Sequence, residues 1–122
     1  MQVLLLLGSI NMFLSVVLGA FGAHALKKRL SPEMAAIYQT AVQYQIAHAL
    51  GLILMAILAH TAIPSALVIT AGWFLFAGIL LFCGSLYVLS LTGMKKLGAI
   101  TPIGGLCFLI GWALLTAAAV QV

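Results

Sequence analysis

Apolar residues fill this chain in four long blocks, parted by three short breaks at Lys27-Lys28-Arg29-Leu30-Ser31, Thr61-Ala62-Ile63-Pro64 and Thr92-Gly93-Met94-Lys95-Lys96. The blocks, over about 2–26, 35–60, 65–91 and 97–120, are each long enough at roughly 1.5 Å per residue to cross a ~30 Å hydrocarbon core. The pattern predicts an all-α fold: a polytopic membrane protein whose single domain, residues 1–122, is a four-transmembrane-helix bundle. Breaks this short force neighbouring helices to run antiparallel.

The second helix organises the rest. Ser31 is a good N-cap, Pro32 suits the first helical position, and Glu33 meets the positive end of the macrodipole. A helix from Ser31 to His60 would be roughly 44 Å long, so its first turns overhang the hydrocarbon or lie at its surface. Those turns hold Tyr38, Gln39, Gln43, Tyr44, Gln45 and then His48. Small residues mark helix contacts elsewhere: Ser15, Gly19 and Ala23 recur every fourth position in the first block, with Gly22 beside them. In the fourth block, Gly104, Cys107 and Gly111 share a face. Asn11, near mid-depth, is placed to hydrogen-bond a neighbouring helix.

Composition narrows the class. With 66% hydrophobic and 5% charged residues among 122, and a mean hydropathy of +1.32, the chain cannot coat a water-soluble globule. The formal charge of +4 comes from two clusters, Lys27-Lys28-Arg29 and Lys95-Lys96, each between apolar runs. Such clusters orient membrane helices and do not bind nucleic acid. All five basic side chains flank the first and third connections, so the positive-inside rule puts those loops in the cytoplasm and both termini outside. The Leu-rich start followed by Ala23-His24-Ala25 does not read as a signal peptide, because its apolar run is too long and its basic residues follow it. Cys83 and Cys107 lie inside apolar runs and form no secreted disulfide framework.

Depth sorts the polar groups. Counted along the helices, His48 falls about 12 Å above the cytoplasmic edge of the hydrocarbon, and Cys83 and Cys107 at about 15 and 13 Å. His24, Gln43, Tyr44, Ser85, Tyr87 and Thr101 fall below them, while the outer half holds little beyond Asn11, Thr70 and Thr116. Spacings of i, i+3 and i, i+4 link Gln39 to Gln43, Tyr44 to His48 and Gln45 to His48, reading as a ladder of donors and acceptors on one side of the second helix. In lipid such groups must be satisfied within the bundle, and a histidine there is either a structural partner of Tyr44, Gln45 or Tyr87 or a titrating group. A Cys₂His set of His48, Cys83 and Cys107 would suit a soft metal. It lacks C-x-x-C or H-x-x-x-H spacing, however, and lone cysteines act as small hydrophobes, so no metal and no cofactor is assigned. Glu33 is the one carboxylate side chain, leaving no acid-base pair and no Ser/His/Asp set. An enzyme is not expected.

Several segments together resemble a known family. They are Gly19-Ala20-Phe21-Gly22-Ala23-His24-Ala25-Leu26, Tyr38-Gln39-Thr40-Ala41-Val42-Gln43-Tyr44-Gln45, Ala47-His48-Ala49-Leu50, Gly84-Ser85-Leu86-Tyr87 and Thr101-Pro102-Ile103-Gly104-Gly105. They are similar to the small four-helix membrane proteins of domain of unknown function 423, a family with bacterial YgdD- and YwdK-type members and the eukaryotic transmembrane protein 256. The resemblance implies a multi-pass protein of the bacterial plasma (inner) membrane without an assigned activity, and it carries no catalytic residues over. The matching motif positions are His24, Tyr38, Gln39, Gln43, Tyr44, His48, Ser85, Tyr87, Thr101 and Pro102.

The sequence therefore predicts a non-enzymatic integral membrane protein that binds a partner, a lipid or a small ligand. Its expected site is a polar cluster in the cytoplasmic half: His24, Tyr38, Gln39, Gln43, Tyr44, His48, Ser85, Tyr87 and Thr101. The bilayer is its expected surroundings, with a second copy or another membrane protein as partner. The alternative is a small oligomeric transporter or proton-linked permease in which His48 titrates.

Overall fold

The computed structural model describes residues 2–122; Met1, the first residue of the expected domain, lies outside them. No strand occurs among the described residues. Four helical spans are long and apolar enough to cross a membrane: Gln2–Leu26, Pro32–Leu58, Ser65–Thr92 and Lys95–Val120.

The second span starts as its sequence dictates. Ser31 is extended (φ −61°, ψ 160°), its Oγ accepts from the Met34 N–H at 3.2 Å, and Pro32 follows at the first helical position. Its far end comes two residues before His60. There the His60 and Thr61 N–H groups donate to Ile57 and Leu58 carbonyls at 3.1 and 2.9 Å, and Thr61 Oγ1 donates to the same Leu58 oxygen. These tighter bonds close the helix, leaving it about 40 Å long.

The other spans depart from regular α geometry at places the apolar pattern does not mark. The first ends in a π turn at Gly22–Leu26, and the third carries one at Ile79–Cys83, between α segments Ser65–Gly78 and Gly84–Thr92. A π turn inserts a single residue without changing the apolar character of the run, so composition carries no trace of it. The third span stops at Gly93, whose left-handed backbone (φ 75°) lets its N–H reach the Leu89 carbonyl at 2.8 Å. The fourth opens with a 3₁₀ turn, Lys95–Ala99, and continues as α-helix over Thr101–Val120.

Each span packs on the next, and the second and third form the centre. Half of the most apolar stretch of the second span is buried, against 22% for the first and the fourth. Close approach depends on missing side chains. A Cβ on Gly8 would lie 2.9 Å from the Ala49 carbonyl, one on Gly111 3.1 Å from the Ala71 carbonyl, and one on Gly104 would collide with the Phe82 backbone. The small-residue stripe expected in the first span is used unevenly: Ser15 is buried and Gly19 meets Val42, but Ala23 is exposed. Where the helix widens into its π turn, Gly22 takes over and lies against the Tyr38 ring. Leu52, Met55, Val68 and Leu75 fill the core with no exposure, whereas Phe13 and Leu109 are each 69% exposed on the outside. An outer surface of that kind is matched to lipid, not water.

Candidate functional site

The polar residues of the bundle separate into an inner tie, an aromatic-bound histidine and an outward face. The inner tie joins three spans. Gln45 Nε2 donates to Asn11 Oδ1 at 3.1 Å, and the Tyr87 hydroxyl donates to Gln45 Oε1 at 2.7 Å. Asn11 Nδ2 in turn donates to the Leu7 carbonyl at 2.8 Å, so both ends of the Asn11 amide are engaged. Beside this chain the buried Tyr38 donates its hydroxyl to the Leu18 carbonyl across the helix pair and sets its ring edge-on to Tyr87, with centroids 5.3 Å apart. Ser85 and Thr101 add a hydroxyl pair at 2.6 Å between the third and fourth spans. Among the described residues no buried side-chain nitrogen or oxygen lacks a partner. This is what the absence of water in the hydrocarbon demands.

His48 occupies a separate position. Its Nδ1 lies 2.7 Å from the Tyr44 carbonyl oxygen, which can only accept, so Nδ1 carries the hydrogen. Nε2 then accepts from Trp112 Nε1–H at 3.1 Å. The ring stacks on Phe108 with centroids 3.6 Å apart and planes within 13°. A second proton on Nε2 would face the Trp112 N–H and cost that bond. Of the side-chain partners expected for His48, Gln45 and Tyr87 bind each other instead, and Tyr44 supplies its backbone carbonyl and a stacked ring at 5.9 Å. Trp112 is the partner that sequence reasoning missed; the available signal was an indole inside a span, which needs an acceptor for its N–H.

The single ladder expected on the second helix is three faces. At about 100° per residue, Tyr38 and Gln45 share one sector, Tyr44 and His48 a second, Gln39 and Gln43 a third. Gln39 and Gln43 are exposed, as is His24 at the end of the first span, and among the described residues no hydrogen bond reaches any of the three side chains. Tyr44 is half-exposed, packs on Phe82 with centroids 4.6 Å apart, and lines a groove of about 510 Å³ between the third and fourth spans. His48, Cys83 and Cys107 do not assemble: no group of three His, Cys, Asp or Glu side chains able to hold a metal occurs among the described residues. Cys83 is instead buried in the apolar core.

The family described as protein of unknown function (DUF423) matches residues 18–105. Similar proteins extend the match to nearly the whole chain. UPF0382 membrane protein YwdK of Bacillus subtilis (strain 168) is 50% identical over 121 residues, covering 99% of this chain and 98% of its own. A UPF0382 membrane protein of Staphylococcus epidermidis (strain ATCC 12228) is 46% identical with the same coverage. UPF0382 membrane protein SH2409 of Staphylococcus haemolyticus is 47% identical over 115 residues, 94% of this chain and 93% of that protein. No solved structure matches. Four apolar spans, and relatives named as membrane proteins along almost their full length, make this chain a membrane protein of the DUF423 family.

Proposed function

We propose that this is a non-enzymatic, multi-pass protein of the bacterial plasma membrane, termini outside, that binds a membrane partner through the outward polar face of its second span. The inner polar residues hold the bundle, and the outer ones are left for recognition. One observation carries this reading: Gln39 and Gln43, a turn apart, lie on the exposed face of the second span without a hydrogen-bond partner among the described residues. Above them the same face continues with Leu50, Leu54 and Ile57, all exposed and purely apolar. Counted from Leu58, Gln43 sits about 22 Å below the outer end of the span, hence roughly 7 Å inside the cytoplasmic edge of the hydrocarbon. A carboxamide there is costly without a donor or acceptor supplied from outside the bundle, such as another helix or a lipid headgroup. The transport alternative gains no such support, because both His48 ring nitrogens are engaged in hydrogen bonds within the bundle.

The test is photo-crosslinking in native membranes, with a photoreactive residue at position 43 and, for comparison, at position 50. A discrete adduct that forms at position 43, is absent at position 50 and is weakened by Gln39→Leu supports the proposal. Equal, diffuse lipid labelling at both positions refutes it.

A further inference from the structure

The groove beside Tyr44 lies on a different face from Gln39 and Gln43, and its occupant does not depend on whether that face is used. It is lined by Tyr44, Phe82, Phe108 and Trp112, with Pro102 and Gly105 toward the start of the fourth span. Phe82 belongs to the π turn Ile79–Cys83, the kind of insertion that recurs at functional positions in helices. The volume, about 510 Å³, falls within the range of ligand sites, and the lining is almost wholly apolar.

Dimensions and charge identify the occupant. From Pro102 to Trp112 is ten residues, about 15 Å along the fourth span, which equals the hydrocarbon depth of one leaflet, half of ~30 Å. The lower end at Pro102 lies about 10 Å along the axis from Lys96, counting α and 3₁₀ rises. Lys95 and Lys96 are both exposed, and Glu33 is the one acidic side chain in the chain. An apolar groove lined over about 15 Å of the fourth span, beginning about 10 Å along the axis from two exposed lysines, is complementary to an amphiphile with one anionic head and a hydrocarbon tail. We infer that the groove binds an anionic phospholipid of the cytoplasmic leaflet, its acyl chain against Phe82, Phe108 and Trp112 and its phosphate at Lys95 and Lys96.

Glycine geometry supplies a selective test. A Cβ at Gly105 would meet only the Phe82 ring edge, at 3.8 Å, so a larger side chain fits the backbone there and fills the groove. Gly84, where a Cβ meets nothing within 4 Å and which does not line the groove, is the control. The readout is Trp112, made the sole tryptophan by Trp73→Phe. The protein is reconstituted in phosphatidylcholine bilayers containing rising fractions of dibrominated phosphatidylglycerol or dibrominated phosphatidylcholine, and quenching of Trp112 gives relative binding constants. The brominated anionic lipid is expected to quench at several-fold lower mole fraction than the zwitterionic one. Lys95→Gln and Lys96→Gln should each reduce that preference, and the double substitution should abolish it. Gly105→Leu should remove the low-fraction quenching of both lipids, and Gly84→Leu should leave it unchanged. If Gly105→Leu lowers the helix content, Gly105→Ala, whose Cβ fits at 3.8 Å from the Phe82 ring, takes its place, and it should weaken the low-fraction quenching of both lipids. Identical quenching curves for the two lipids in the Trp73→Phe protein, or unchanged quenching in a folded Gly105→Leu protein, overturn the inference.

Discussion

Replacing Gln45 by Leu tests the inner tie most directly. Gln45 is 4% exposed, and its amide holds two bonds at once, donating to Asn11 and accepting from Tyr87. Leu has nearly the same volume, so the substitution removes hydrogen bonds without opening a cavity. Interhelical hydrogen bonds in membranes average about 0.6 kcal/mol and reach ~1.7, so losing two removes about 1 to 3 kcal/mol. The upper part of that range applies here because Asn11 Oδ1 stays behind, buried without a partner, at a cost of about 1–3 kcal/mol for such a group, and the part-buried Tyr87 hydroxyl loses its acceptor. The assay is reversible unfolding in mixed micelles as the denaturing detergent fraction rises, followed by far-UV circular dichroism. Gln43→Leu, two residues earlier on an exposed face, should change stability by less than about 0.5 kcal/mol, the usual range for surface positions. In a cycle with Tyr87→Phe, Gln45 and Tyr87 should couple by about 0.5–1.5 kcal/mol. If Gln45→Leu unfolds within about 0.3 kcal/mol of the unsubstituted protein, or the cycle shows no coupling, the idea that this network holds spans one, two and three together is wrong.

Other outcomes follow from the same geometry. Solid-state ¹⁵N spectra of histidine-labelled protein should assign the hydrogen of His48 to Nδ1, and Trp112→Phe should shift the Nε2 resonance; an Nε2–H signal would contradict the bonding to Tyr44 and Trp112. Gly104→Ala should destabilise the protein by about 2 kcal/mol or more, because the helix must move off the Phe82 backbone, within the 1–3 kcal/mol typical of overpacking. Gly84→Ala, with open space at its Cβ and helical backbone (φ −58°), should stabilise it by about 0.5–1 kcal/mol. With Cys83 and Cys107 replaced by Ala, a cysteine at position 62 should react with a membrane-impermeant thiol reagent on intact cells and one at position 94 only after lysis. The opposite labelling would reverse the orientation drawn from the basic loops.

The sequence by itself determined the architecture, because the constraint is one-dimensional. A segment that crosses lipid must be apolar for about 20 residues and must be a helix, so four blocks and three breaks leave little choice. Ser31 and Pro32 placed the start of the second span, since a cap and a proline act within one turn of themselves. That Asn11 needs a partner was also legible, as a buried amide in hydrocarbon cannot go without one. Which residue answers it was not, because that choice depends on the rotation of two helices about their axes, and a long apolar helix has little amphipathic signal to reveal its rotation. For that reason a ladder drawn on one side of the second span becomes three faces, with Gln45 turned to Asn11, His48 to Trp112, and Gln43 outward. The π turn at Ile79–Cys83, which contains the groove-lining Phe82, likewise leaves no mark in the apolar pattern of the third span. Composition decided that these helices live in lipid; the phase of each helix against its neighbours decided which polar groups lock the bundle and which are left to meet something else.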